Sequence, residues 1–200
     1  SVSKEIGTTG YTFSSVKVTA GSNEKVYIQQ IRWNQSGSAA KGDLENVKVY
    51  IDGTAYDTVV STDGKYYTAK FNGDEGILVD KGLSKELSIK GDIVNGSNRT
   101  IIFDLYKRTD LVVKGETYGY GITPPVTGTA AAPTTRSSAT FTTNNPWYYA
   151  SQVTISSGSL TVSKSVTPAS QNIAINLADV PLGGFEFDVK GEPISVSSTV

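Results

Sequence analysis

The residues able to do chemistry here are few in kind. The 200-residue chain contains no Cys, His or Met, which removes a thiolate nucleophile, an imidazole base, a Ser-His-Asp triad and a zinc site built from Cys and His. Hydroxyls, amines and carboxylates remain. Ser-x-x-Lys, the spacing of a Ser-Lys nucleophile pair, occurs as Ser1 with Lys4, Ser14 with Lys17 and Ser22 with Lys25. That pair works where positions i and i+3 share a helical face, whereas these three fall in segments that read as strands and turns. With 23 Ser and 14 Lys, composition alone supplies such matches. No catalytic residue is assigned, and the chain reads as a non-enzyme.

The carboxylates cluster twice. Asn72-Gly73-Asp74-Glu75-Gly76 offers oxygen ligands for calcium but lacks the spaced acids and terminal bidentate Glu of a calcium loop, so a solvated hairpin tip is the plainer reading. Asp179, Glu186 and Asp188 could form a site at an interface. More simply, Glu186 and Asp188 occupy the solvent face of a strand whose Phe185, Phe187 and Val189 point inward. No metal ligand and no cofactor is assigned. Among 19 acidic residues no feature selects a pair for glycoside hydrolysis, and none identifies the Lys, Asn or Asp and acid of an internal isopeptide crosslink.

Two surface chemistries stay open. Asn34-Gln35-Ser36, Asn95-Gly96-Ser97 and Asn98-Arg99-Thr100 are glycosylation sequons, in a chain whose composition produces sequons freely. Trp147-Tyr148-Tyr149 places three aromatics in succession. They cannot all face one side of a strand, so at least one is expected to meet solvent, a sugar or another subunit.

Positioning such groups falls to β-structure. Eighteen basic and 19 acidic side chains leave a net charge of -1, a poor match for nucleic acid or an anionic membrane. Apolar runs such as Leu111-Val112-Val113 are far short of the roughly 18 residues of a bilayer span, so no membrane span is expected. Period-two alternation recurs instead, at Val16 and Val18, Val26 and Ile28, Val47, Val49 and Ile51, and Tyr67, Ala69 and Phe71. It returns at Leu87 and Ile89, at Ile101, Phe103 and Leu105, and at Tyr118, Tyr120 and Ile122. Asp52-Gly53, Asp63-Gly64, Asn72-Gly73 and Asn95-Gly96 supply turn chemistry between them. Lys41 to Asn46 is read as holding at most one helical turn. Parity slips at Gln29-Gln30 before Ile31 and Trp33 resume the apolar face, which predicts a β-bulge there and a buried Trp33. The expected class is all-β, an antiparallel sandwich over residues 1–122.

Thr123-Pro124-Pro125 and the Gly, Ala, Ser and Thr run that follows read as an exposed linker or loop over 123–138. A smaller β unit is expected over 139–200, with signals at Phe141, Val153 and Ile155, Leu160 and Val162, Phe185 to Val189, and Ile194 and Val196. It reads as the start of a repeat: Val2-Ser3-Lys4 recurs as Val162-Ser163-Lys164, and Val16 to Ala20 lines up with Phe185 to Val189. Ser1 is read as a processed N-terminus or the cut edge of a longer product.

The run from Asn23-Glu24 through Ile31-Arg32-Trp33, Gly37-Ser38-Ala39, Asp43-Leu44, Asn46-Val47 and Val49-Tyr50 resembles the Ig-like β-sandwich repeats of bacterial surface-layer and other cell-surface proteins. So does the pattern Lys81-Gly82, Lys85-Glu86-Leu87, Lys90-Gly91-Asp92-Ile93, Ile101 to Asp104 and Gly119-Tyr120-Gly121-Ile122. Gly158 to Val162 with Thr167-Pro168-Ala169 is similar to the start of a next repeat. The resemblance implies an extracellular or cell-surface location and a structural subunit of a surface layer or filament, with copies of itself as partners. It carries over no catalytic residue. The second functional class is a carbohydrate-binding adhesin module with surface glycans as partners. For assembly, the candidate interface is Trp147, Tyr148, Tyr149, Phe185, Phe187, Val189, Ile194 and Val196.

Overall fold

A computed structural model describes residues 2–73, 75–126, 141, 150–169, 172–191 and 194–197. The chain divides into two units, Ser1–Ser156 and Ser157–Val200. In the first, the strands are β1 (Val2–Glu5), β2 (Tyr11–Thr19), β3 (Val26–Gln35), β4 (Leu44–Ile51), β5 (Thr54–Asp57), β6 (Val59–Val60) and β7 (Tyr66–Lys70). They continue as β8 (Ile77–Val79), β9 (Ser84–Ile93), β10 (Thr100–Ile101), β11 (Phe103–Asp104), β12 (Leu111–Gly115), β13 (Gly121–Ile122) and β14 (Val153–Ser156). The helical content among the described residues is two 3-10 turns, Lys41–Asp43 and Arg108–Asp110. The fold is all-β.

Two sheets make the core. One is four-stranded in the order β2-β9-β4-β5. The other is built around the long β3, which pairs with β12 and β11 along one edge and with β7 and β8 along the other. The inner faces meet through aromatic rings. Phe13 of β2 lies 5.4 Å from Phe103 of β11, Tyr67 of β7 packs edge-on against Phe103 at 5.1 Å, and Tyr56 of β5 packs edge-on against Phe71 at 5.0 Å. Such edge-to-face pairs stabilise a core beyond the area they bury. Ile28, Ile31, Trp33, Leu87 and Ile89 are fully buried between them. This is a β-sandwich-like arrangement.

Bulges set the parity of both sheets. Val112 pairs with Gln30 and Val113 with Ile28, so Gln29 is the extra residue on β3. The expected bulge is present, and it returns Trp33 to the inner face, where it is buried. On β4 the register jumps between Glu45 and Lys48, with Asn46 at φ 50°. Opposite it stands Gly91, where a Cβ would meet Val47 Cγ2 at 2.9 Å. Asp52-Gly53, both at positive φ, closes the two-residue hairpin in which Ile51 faces Thr54.

Two expectations need correcting. Val153 and Ile155, assigned to the second unit, form β14 of the first: β14 pairs in parallel with β1 and antiparallel with β10, and both side chains are buried. Alternation announces a strand but not its partner, and β1 lies about 150 residues away. Tyr118 and Tyr120 stand on the turn between β12 and β13, and only Ile122 of that trio lies on a strand. Of the linker, residues 123–126 are described: they carry no strand, and the Pro124 carbonyl accepts a hydrogen bond from Arg108 Nη1 at 3.0 Å.

In the second unit β15 (Ser159–Lys164) pairs antiparallel with β16 (Phe185–Lys190) along their full lengths. Residues 194–197, read as a further strand around Ile194 and Val196, carry no strand. The proposed sequence repeat is paired differently in the two places. β1 and β2 belong to separate sheets, whereas β15 and β16 pair with each other.

Candidate functional site

The polar clusters resolve into structure. Asp43, Asp104 and Asp110 are buried carboxylates, and burial of a charge demands partners. Asp43 Oδ2 accepts from Ala40 N and from Arg99 Nη1, each at 2.7 Å. Asp110 Oδ1 accepts from Arg32 Nε at 2.8 Å and Nη2 at 2.5 Å, while its Oδ2 accepts from Lys107 N at 2.9 Å. Asp104 accepts from Ser36 Oγ at 2.5 Å and Ala150 N at 2.8 Å. Each acid anchors a turn or a strand end.

The sequence motifs are dispersed. Ser14 is buried while Lys17 is exposed on the opposite face of β2, so that pair does not meet. Lys25 pairs with Asp80 at 2.8 Å, which raises the Lys25 amine above its ordinary value. Ser1 lies outside the described residues. At the supposed calcium tip, Asn72 Nδ2 donates to Gly76 O at 3.2 Å, and Asp74 is outside the described residues. Asp179, Glu186 and Asp188 are exposed, with Asp188 3.5 Å from Lys190. Among the described residues no group of three or more His, Cys, Asp or Glu could hold a metal ion. No described Lys is buried, which leaves no core amine for an isopeptide bond there. Of the sequon residues Asn34 is buried, while Asn95 and Asn98 are exposed between β9 and β10. Asp92 is held below the ordinary carboxylate range by the Asn46 side-chain amide and the Gly10 N–H.

What stands out is apolar. Between the terminal strand β2 of one sheet and β12 and β13 of the other opens a groove of about 610 Å³, lined by Val16, Val18, Val26, Leu111, Val113 and Ile122 among others. Glu24 and Lys17 are its charged members. Nearby, Glu24 Oε2 accepts from Thr117 N at 3.1 Å and so fixes the β12–β13 turn. That turn presents Tyr118 and Tyr120, 74% and 77% exposed.

The second apolar feature is the β15–β16 sheet. Leu160 faces Val189 and Val162 faces Phe187, so the four side chains share one face. All four are exposed, as are Phe185, Ile194 and Val196. Of the candidate interface, then, Phe185, Phe187 and Val189 lie on one strand, and Ile194 and Val196 lie beyond it. Trp147, Tyr148 and Tyr149 are outside the described residues. The groove went unread in the sequence because it depends on which strands end the sheets. Tyr118 and Tyr120 carried a usable signal, since Glu116-Thr117-Tyr118-Gly119-Tyr120 is as much a turn as a strand.

Among the described residues, no helix is long and apolar enough to cross a membrane. No protein-family model, no curated protein and no solved structure matches the chain.

Proposed function

We propose that this chain is a structural subunit of a cell-surface layer or extracellular filament that assembles with copies of itself. One observation carries the reading: Leu160, Val162, Phe187 and Val189 form a common apolar face on a two-stranded sheet and stay exposed. A lone two-stranded sheet is marginal in water, and contiguous exposed apolar surface marks an interaction site. The disulfide-free sandwich, with its buried acids fully engaged, supplies a rigid body on which to mount such a contact. The kinship to Ig-like surface-layer repeats is part of this proposal and rests on the strand and turn pattern of residues 10–122.

Negative-stain electron microscopy of the isolated chain tests it. Ordered filaments or sheets at rising protein concentration are the expected result, and dispersed single particles throughout would overturn it.

Tyr118 and Tyr120 favour a second reading, a carbohydrate-binding adhesin module, because exposed rings on a fixed turn can stack on sugars. A glycan array decides: specific binding lost in Tyr118→Ala, Tyr120→Ala or Trp147→Ala would support it, and an array without binding would remove it.

A further inference from the structure

We infer that the pocket between β4 and β6, with the Tyr67 hydroxyl in its wall, is a binding site for a neutral saccharide. The inference stands apart from self-assembly and does not use the Tyr118 and Tyr120 turn.

A bulge and a crossing make the pocket. On β4 the register jumps between Glu45 and Lys48, so Asn46 and Val47 stand out of the ladder with β9. Bulges re-aim side chains in this way beside binding sites. The chain then leaves the four-stranded sheet at Asp57, the end of β5, and enters the other sheet at Val59, the start of β6. Thr58 makes the step, and its Oγ1 donates to Val47 O at 2.6 Å, which ties the crossing to the bulge. The space left is about 410 Å³, within the range of small-molecule sites, and all its lining residues are described ones.

Tyr67 is the side chain that points to a ligand. It lines the pocket although it is only 2% exposed. Its hydroxyl has no hydrogen-bond partner among the described residues and is not sealed from solvent, so it opens on the pocket. A buried hydroxyl without a partner costs free energy that a bound polar atom recovers. Burial, with the Asp43 charge adding to it, holds the proton on this group, which keeps it a donor as well as an acceptor.

The remaining wall selects the ligand. Lys41 and Lys48 are balanced by Glu45 and Asp57, so no net charge draws in an anion or a cation. Lys48 and Asp57 already pair at 2.9 Å, whereas Lys41 and Glu45 are exposed and have no ion-pair partner among the described residues. An amine offers donors only and a carboxylate acceptors only, while a sugar hydroxyl, being both, satisfies either of them and the Tyr67 hydroxyl as well. Leu44, Val47 and Val60 supply apolar wall for the C–H face of a sugar ring. A hydrocarbon ligand would leave the polar groups unpaired.

Heteronuclear NMR on the full-length chain at low protein concentration tests this, with glucose, galactose, mannose, N-acetylglucosamine and their disaccharides as probes. At least one neutral probe is expected to shift the amides of Asn46, Val47, Thr58 and Tyr67 together and saturably. Tyr67→Phe is expected to weaken that binding about two- to tenfold. Its thermal midpoint at neutral pH should stay at or above that of wild type, because the lost hydroxyl bonds nothing in the free protein. Glu45→Ala, at an exposed position, is expected to weaken binding by a similar factor and leave the fold intact. Glucuronate and glucosamine, charged relatives of glucose, should bind no more tightly than glucose itself. Absence of shifts at these four amides with every neutral probe, shifts confined to Tyr118 and Tyr120, or equal binding by Tyr67→Phe overturns the site. Tighter binding of a charged relative overturns the neutral class of ligand. None of these outcomes turns on whether micrographs show filaments, so the site and the structural role fail separately.

Discussion

The guanidinium of Arg32, on β3, donates from Nε at 2.8 Å and from Nη2 at 2.5 Å to a single oxygen of Asp110, whose side chain is closed off from solvent. Asp110 also accepts from Lys107 N, three residues back, and Asp43 repeats the device with Ala40 N and Arg99. Each acid ends a 3-10 turn, and a buried Leu follows it, Leu44 into β4 and Leu111 into β12. The two turns therefore aim one strand of each sheet at the core.

Asp110→Asn keeps the shape and removes the charge from these bonds. It is expected to cost about 1.5–3 kcal/mol, the worth of hydrogen bonds to a charged group. Urea unfolding measures it, and a midpoint equal to wild type would show that the Arg32 contact carries no stability.

Trp33→Ala leaves a large hole where Ile31, Tyr67 and their neighbours converge, at a cost of about 3–5 kcal/mol. The bulge at Gln29 is what sends this ring inward. Tryptophan fluorescence of the folded chain should accordingly include a strongly blue-shifted component that Trp33→Phe removes.

Gly96 sits at φ 92°, and a Cβ there would lie 2.7 Å from the buried carboxylate of Asp43. Gly96→Ala meets both backbone strain and that collision, and is expected to destabilise by about 1–3 kcal/mol. Thermal melts compare it with Gly82→Ala, at φ 70° with open space around the Cβ position, which carries the strain alone and should lose less.

Burial raises the Tyr67 hydroxyl above its ordinary value, with the nearby Asp43 charge adding to the effect. The folded state then holds this proton to higher pH than the unfolded chain does. Stability from Tyr67 is full below about pH 10, the unfolded value, and is lost as pH rises through the folded value. Tyr67→Phe should flatten the fall in stability above about pH 10; an unchanged slope would place the alkaline sensitivity elsewhere.

Much of this was readable in advance wherever local rules decide. Val47, Val49 and Ile51 alternate, Asp52-Gly53 follows, and the observed hairpin needs nothing further. The parity slip at Gln29-Gln30 likewise located a bulge without any partner in view. Reading failed where structure depends on what comes from far away. Val153 and Ile155 announce a strand, but only tertiary packing decides that it joins β1 and β10. Asp43 and Asp110 look like surface acids until Arg99 and Arg32 reach them. Alternation placed Phe185, Phe187 and Val189 on one face of a strand, and they share that face; the groove beside β2 depends on sheet order and leaves no local trace.

Amide hydrogen exchange of Phe185 to Lys190, followed across protein concentration, tests the self-assembly account most directly. A two-stranded sheet with both faces in water protects its amides poorly, so the account predicts fast exchange in dilute solution. Protection should appear at these amides as concentration rises. Exchange at these amides that does not change with concentration would contradict it.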